Sequence, residues 1–309
     1  MFLKPIHFVP PDTKIDFVAK RWVAFSVTIV LLIITGLSVA TRGLNFGIDF
    51  KGGILIEAKA PQAVDVAALR SQMSGLKLGE VEIQQFGAPD DVLIRIQRQE
   101  GDEAAQMTAV DHVRAALGTN YDYRRVEVVG PTVGHELLQA GVLATVLAML
   151  AISAYVALRF EWQFGLAALI ATLHDVLTTV GFYSVLHLDF NLTAVAALLT
   201  LAGYSINDTV VVFDRIRETL RRHKAVDLRS VINDSVNQTL SRTVMTAGTT
   251  LLALLPLVFM GGSTLINFSG ALAWGIFVGS YSSIYVAAAL LLYMPPLRRL
   301  EKAPAVAKA

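Results

Sequence analysis

The chain has 309 residues, 54% apolar and 17% charged, with a formal net charge of +1 and no cysteine. So even a charge balance gives no case for a nucleic-acid partner, and the missing cysteines exclude disulfide frameworks, thiolate metal sites and cysteine nucleophiles. The apolar residues gather into windows of about 20, enough to cross about 30 Å of hydrocarbon.

A cationic lead, residues 1–21, holds Pro5, Pro10 and Pro11, which discourage a continuous helix. The first window, 22–40, is longer than the roughly 7–15 apolar residues of a cleavable signal and is read as a retained anchor. After it, TRGLNFGIDFKGGILIEAKA passes through a Gly-rich turn into an alternating strand around Ile54 and Ile56. Lys51 precedes the glycines and a strand follows them, so GIDFKGG is not a phosphate loop.

Val66, Leu69, Met73 and Leu76 recur at helical spacing behind a candidate cap, Asp65. The strands VEIQQF and VLIRIQ flank the turn GAPDD. A second helix carries Met107, Val110, Val113 and Leu117, with His112 on its surface, and Tyr123 to Val129 closes as a strand. The order βαββαβ predicts a small α+β, ferredoxin-like domain over 41–134.

Five further windows follow, at 137–158, 164–186, 192–213, 243–260 and 268–293. The fold class is therefore an α-helical polytopic membrane protein with six transmembrane helices and one inserted domain. Ala140, Ala144 and Ala148 are spaced as a helix-packing face, and Ala271, Gly275, Gly279 and Ser283 as another. The third window carries His174 and Asp175 about ten residues from its start, which suits either a hydrogen-bonded helix contact or a relay.

The fourth window is the most informative. A carboxylate within hydrocarbon is unfavourable by several kcal/mol unless paired, hydrated or protonated. Asp208 lies about 9 Å inside Asp214, too deep for its short side chain to reach the water interface. With Thr200, Gly203 and Asn207 it is expected to form one polar, small face. The segment 214–241 is basic with an apolar edge of Ile216, Leu220, Val231, Ile232 and Val236, and is expected on the membrane surface, against lipid, or against a partner. Arg242 opens the fifth window at the head of a stripe of Thr246, Thr249 and Thr250, at a depth similar to Asp208. Its guanidinium stays cationic, so Asp208 would be the titrating partner of a candidate pair.

The cations fall before the first window, at Arg159, from Arg215 to Arg242, and after the last. The remaining ten lie between Arg42 and Arg125, in a segment long enough to be translocated regardless of charge. This places both termini in the cytoplasm and 41–134 outside, which in a bacterium means the periplasm and a chain in the inner membrane, with 135–293 holding the remaining spans and 294–309 a cytoplasmic tail. No nucleophile–base pair or metal-ligand spacing appears, so neither enzymatic activity nor a cofactor is expected.

LNFGIDFKGG, VGPTVGHEL, HDV, GYSINDTVVVFDRIRE, SRTVMTAGTTL and MGGSTLINFSGAL occur in one order from the first span to the last. In them the chain resembles the SecD/SecF family of the bacterial protein-export machinery, related to the proton-driven resistance-nodulation-division transporters. The resemblance implies the SecF kind of subunit, paired with SecD in a pseudo-twofold set of twelve spans, with SecYEG, SecA and YajC as further partners. It implies that proton flow helps draw an exported, unfolded polypeptide outward, and it matches Asp208 and Arg242 to the ion pathway, with Asn207 and Asp214 beside them. The residues alone leave two rivals, a proton-coupled exporter of lipids or small molecules and a non-transporting scaffold.

Overall fold

The computed structural model describes residues 10, 13–79, 81–85, 87–222, 227–261 and 263–295. Most of the cationic lead, residues 223–226 of the basic segment and the tail from 296 onward lie outside the described residues.

Helix α1 (Arg21–Arg42) ends at Gly43 and leads to a two-residue strand β1 (Asn45–Phe46) and a single helical turn α2 (Ile48–Lys51). The domain follows as β2 (Gly53–Lys59), α3 (Val66–Ser74), β3 (Val81–Gln85), β4 (Asp91–Ile96), α4 (Glu103–Leu117) and β5 (Asp122–Val129). Asp65 caps α3 by accepting from the Ala67 and Ala68 amides, and Asp102 caps α4 through the Ala105 amide. The strands lie in the order β3-β4-β2-β5, all antiparallel. Period-two alternation puts Ile54, Ile56, Val92 and Ile94 on the face that meets Leu69, Met73, Val110 and Val113 of the helices. His112 is exposed, as expected.

The spans continue as α5 (Pro131–Arg159), α6 (Trp162–Val185), a two-residue strand β6 (Asp189–Phe190), α7 (Leu192–Arg222), α8 (Leu228–Met260) and α9 (Ser263–Ser282). A π turn (Ser283–Ala287), a short α stretch (Ala288–Leu290) and a 3₁₀ turn (Leu291–Tyr293) complete the last span. Six helices among the described residues are long and apolar enough to cross a membrane. The third and sixth are central, with 67% and 61% of their apolar windows buried, against 6% for α1 and α8.

Two packing expectations are corrected. Ala140 and Ala144 of α5 face outward, and the buried face is Gly141, Thr145 and Met149, where Gly141 lets Val195 approach closely. The segment 214–241 is no separate surface-lying helix either: α7 continues into it as far as Arg222 and α8 begins within it at Leu228. Its apolar edge, Ile216, Leu220, Val231, Ile232 and Val236, is buried with Phe17, Val18 and Phe213. Two extended helices can bury such an edge against each other more completely than against a headgroup layer. The ridge of Ala271, Gly275 and Gly279 packs as expected, Gly275 on Leu201 and Gly279 on Ser205.

The sequence reading did not reveal how the domain is seated. Strand β1 pairs in parallel with β6, Asn45 opposite Asp189 and Phe46 opposite Phe190. Phe46, Phe50, Phe190 and Tyr183 form an aromatic cluster beneath. Asp49 of α2 accepts from the Leu192 amide at 2.8 Å, capping the start of α7 from across the junction. The Phe50 carbonyl sits where a Cβ on Gly134 would be only 2.7 Å away, so α2 can lie on α5 only at a glycine.

Candidate functional site

Helix α7 decides which of its polar residues are hidden. Ser205, Asp208, Thr209, Val212 and Ile216 recur at three- and four-residue intervals and are all buried, Asp208 to 4% exposure. Asn207 and Asp214 are exposed, in line with exposed Thr200 and Gly203. The single polar face expected from the sequence is therefore two. Asp208 turns inward, and Thr200, Gly203, Asn207 and Asp214 form an outward stripe.

Across from Asp208 stands the start of the apolar half of α8. Thr243 is 1% exposed and directed at the Asp208 carboxyl without completing a hydrogen bond. Arg242, one residue earlier, is exposed and makes no ion pair within 4.0 Å among the described residues, although its charge acts on Asp208. The candidate pair is thus an approach and not a contact in this conformation. The α8 hydroxyls are turned into their own helix: Thr246 donates to the Arg242 carbonyl at 3.0 Å, and Thr250 to the Thr246 carbonyl at 2.8 Å.

Among the described residues, three buried polar atoms along α7 and α8 therefore lack a hydrogen bond of good geometry, Asp208 Oδ2, Thr243 Oγ1 and Tyr204 OH, although Thr243 stands near the first and Thr246 and Thr250 near the last. Each such atom is unfavourable by about 1–3 kcal/mol, so packing alone would not select them together. A seam of this kind between two spans is suited to groups that change partners.

His174 and Asp175 on α6 are arranged differently. His174 Nδ1 lies 2.9 Å from Asp175 Oδ1, and both residues are buried, to 3% and 0% exposure. Asp175 Oδ2 accepts from Ser205 Oγ of α7 at 2.5 Å and from Ser282 Oγ of the last span at 2.7 Å. Asp175 thus joins three helices through hydrogen bonds. The two adjacent side chains turn towards each other, so one carboxylate serves two helices. Ser205, Thr209 and Ser282 were not singled out from the sequence, and Ser283 was read only as part of a packing ridge. Their signal was present as hydroxyls in apolar runs, SINDT and YSSIY, at positions where apolar residues would otherwise stand.

Residues 109–296 match the family model described as protein export membrane protein SecD/SecF, C-terminal, and residues 37–64 match the SecD/SecF GG motif. The chain is 43% identical over 295 residues to the protein translocase subunit SecF of Rickettsia prowazekii, covering 94% of each chain. It is 44% identical over 312 residues to that of Rhodobacter capsulatus, covering 96% of this chain and 94% of the relative. In three dimensions it resembles the crystal structure of SecDF, a translocon-associated membrane protein from Thermus thermophilus, with a TM-score of 0.83 and 38% identity. That likeness covers 94% of this chain and 39% of the longer SecDF chain.

Proposed function

The chain belongs to the SecF family of protein translocase subunits, and from that premise we propose that Asp208 takes up and releases protons as they cross the membrane, driving the export of polypeptide together with a SecD subunit. The observation that carries this is a carboxyl buried in a span, without a hydrogen bond at Oδ2, set beside an unsatisfied Thr243 and a nearby guanidinium. A fixed fastening would pair its polar atoms, as Asp175 does. A titrating group must be stable in two states, and an incompletely satisfied one resists change least.

The outward stripe of Thr200, Gly203 and Asn207 exposes small and polar groups where a span would otherwise be apolar, and it is the face on which SecD would sit. Inserted between the first two spans, the small domain is periplasmic in this reading, with both termini in the cytoplasm and the spans in the inner membrane. Its strand order and its two helices on one face correspond to a ferredoxin-like sandwich. SecYEG, SecA and YajC are the expected neighbours on the cytoplasmic and lateral sides, and the exported chain is met outside.

The test is made in inverted membrane vesicles holding the assembled translocase, with a proton gradient imposed. Asp208→Asn should abolish both the gradient-stimulated part of preprotein transport and the accompanying proton movement, while leaving assembly with SecD intact. An assembled Asp208→Asn variant that kept both would overturn the reading and leave a scaffold.

A further inference from the structure

The buried polar groups on the far side of α7 from α8 form one connected frame. Asp175 holds Ser205 and Ser282 through the same oxygen. Ser283, the next residue, shares a hydrogen bond with Thr209 at 2.8 Å and reaches the Ser205 carbonyl at 3.5 Å. Neighbouring helical residues point about 100° apart, and here the first of the two serines serves α6 and the second serves α7. The π turn begins at Ser283, where the helix is locally wider and the two hydroxyls meet different neighbours.

From these contacts we infer that Asp175 is a positioning residue for Asp208. It pins α7 through Ser205, one helical turn before Asp208, while Ser283 pins Thr209, the residue directly after it. Asp208 is thus bracketed on its own helix by two attachments to the last span and α6, and its carboxyl is held facing α8. The frame is not a proton wire. Its hydrogen bonds end at Thr209, and Asp208 Oδ2 has no partner. The groups that meet the Asp175 carboxylate are His174 from its own helix, Ser205 from α7 and Ser282 from the last span, with Gly279 packed against it. Asp208 on α7 and Arg242 from α8 are the charges on the other side of α7. The His174 Nε2 atom is buried and unpartnered, so the imidazole is committed to Asp175 through one nitrogen only.

This inference rests on the reading of Asp208 as the titrating group and adds what sets its place. The measurement is made on the full chain with its SecD partner in nanodiscs, following with pH the infrared band of the protonated carboxyl that disappears in Asp208→Asn. Asp175→Asn keeps the size of the side chain and should move the midpoint of that band by about one pH unit, a factor of ~10 in proton affinity. Ser205→Ala and Ser282→Ala should each move it in the same sense by less, and they carry the test if Asp175→Asn does not fold. A purely structural fastening would lower thermal stability and leave the midpoint in place. Unshifted midpoints in folded variants, with a wild-type band that titrates, overturn this proposal alone. A wild-type band that does not titrate overturns it together with the reading on which it rests.

Discussion

Arg95 of β4 and Asp189 of β6 join the inserted domain to the spans, and separating them should loosen the junction by a predictable amount. The pair is in direct contact, at 12% and 16% side-chain exposure, and Asp189 also accepts from Asn45 Nδ2 at 2.9 Å. Glu82 lies 3.5 Å from the Arg95 guanidinium. Removing one partner of a buried pair is destabilising by about 3–5 kcal/mol, because the other charge is left desolvated and alone. Here neither is left alone: Asp189 keeps Asn45 and Arg95 keeps Glu82. The expected pairwise coupling is therefore reduced to about 2 kcal/mol, or roughly 30-fold in a local opening equilibrium. A double-mutant cycle of Arg95→Ala and Asp189→Ala can be read by hydrogen exchange at the Gly47 amide, which donates to the Phe190 carbonyl at 2.9 Å across this junction. Protection should fall by about that factor in Arg95→Ala, and little further when Asp189→Ala is added. Additive losses, with coupling under about 0.5 kcal/mol, would refute the reasoning and leave the aromatic cluster as the seat of the domain.

Gly165→Ala should weaken the α5–α6 contact by about 1–3 kcal/mol in detergent unfolding, since the new Cβ would lie 2.6 Å from Ala157 Cβ and 2.8 Å from the Ser153 carbonyl, both held by helix backbone. Gly53→Ala should lower the melting of the inserted domain by about 2 kcal/mol or more, because φ there is +129° and the Cβ would meet the Ile96 carbonyl at 2.7 Å. The Asp16 carboxyl is held below its usual value, first by the Ala19 amide at 2.8 Å and then by Asn233 at 2.7 Å. A depressed folded value means the contribution is complete above the ordinary carboxylate pKa and disappears as pH falls through the folded one. Amide protection at Val18 should therefore drop in acid, and Asp16→Asn should remove that pH dependence.

Legibility in the sequence followed the range of the forces involved. Each span announces itself within about 20 residues, and the strands and helices of the inserted domain within five to ten, because their periodicity is local. Asp208 was legible for the same reason: one carboxylate in an apolar run needs no partner to be noticed. Which way it faces was not. Asn207 and Asp208 are adjacent and equally polar, and only the packing of Ser205, Thr209 and Val212 on the last span turns one inward and the other out. The β1–β6 pairing joins residues 144 apart in sequence through two-residue strands, too short for any alternation to appear. The α7–α8 extension was misjudged because an apolar edge on a basic helix has the same pattern whether it meets lipid or another helix.

The two buried aspartates show why depth alone does not identify an ion-carrying group. Asp175 is the more deeply buried, yet its carboxylate is bound by two serines and a histidine, and changing its charge would disturb contacts to α7 and the last span at once. Asp208 is slightly less enclosed, and Thr243 across the seam and Tyr204 one turn earlier on α7 leave polar atoms unsatisfied. Helix α8 has 6% of its apolar window buried, while its N-terminal part is anchored in the apolar cluster around Phe213 and Val236. Its apolar half packs on α9 through Ala247 and Leu254 against Leu272 and Ile276, so a shift of α8 against α7 would be made together with α9. On the proposed reading, the hydrogen bonds from Asp175 to Ser205 and Ser282 keep Asp208 in place, so that a change in its charge would be expressed at α8.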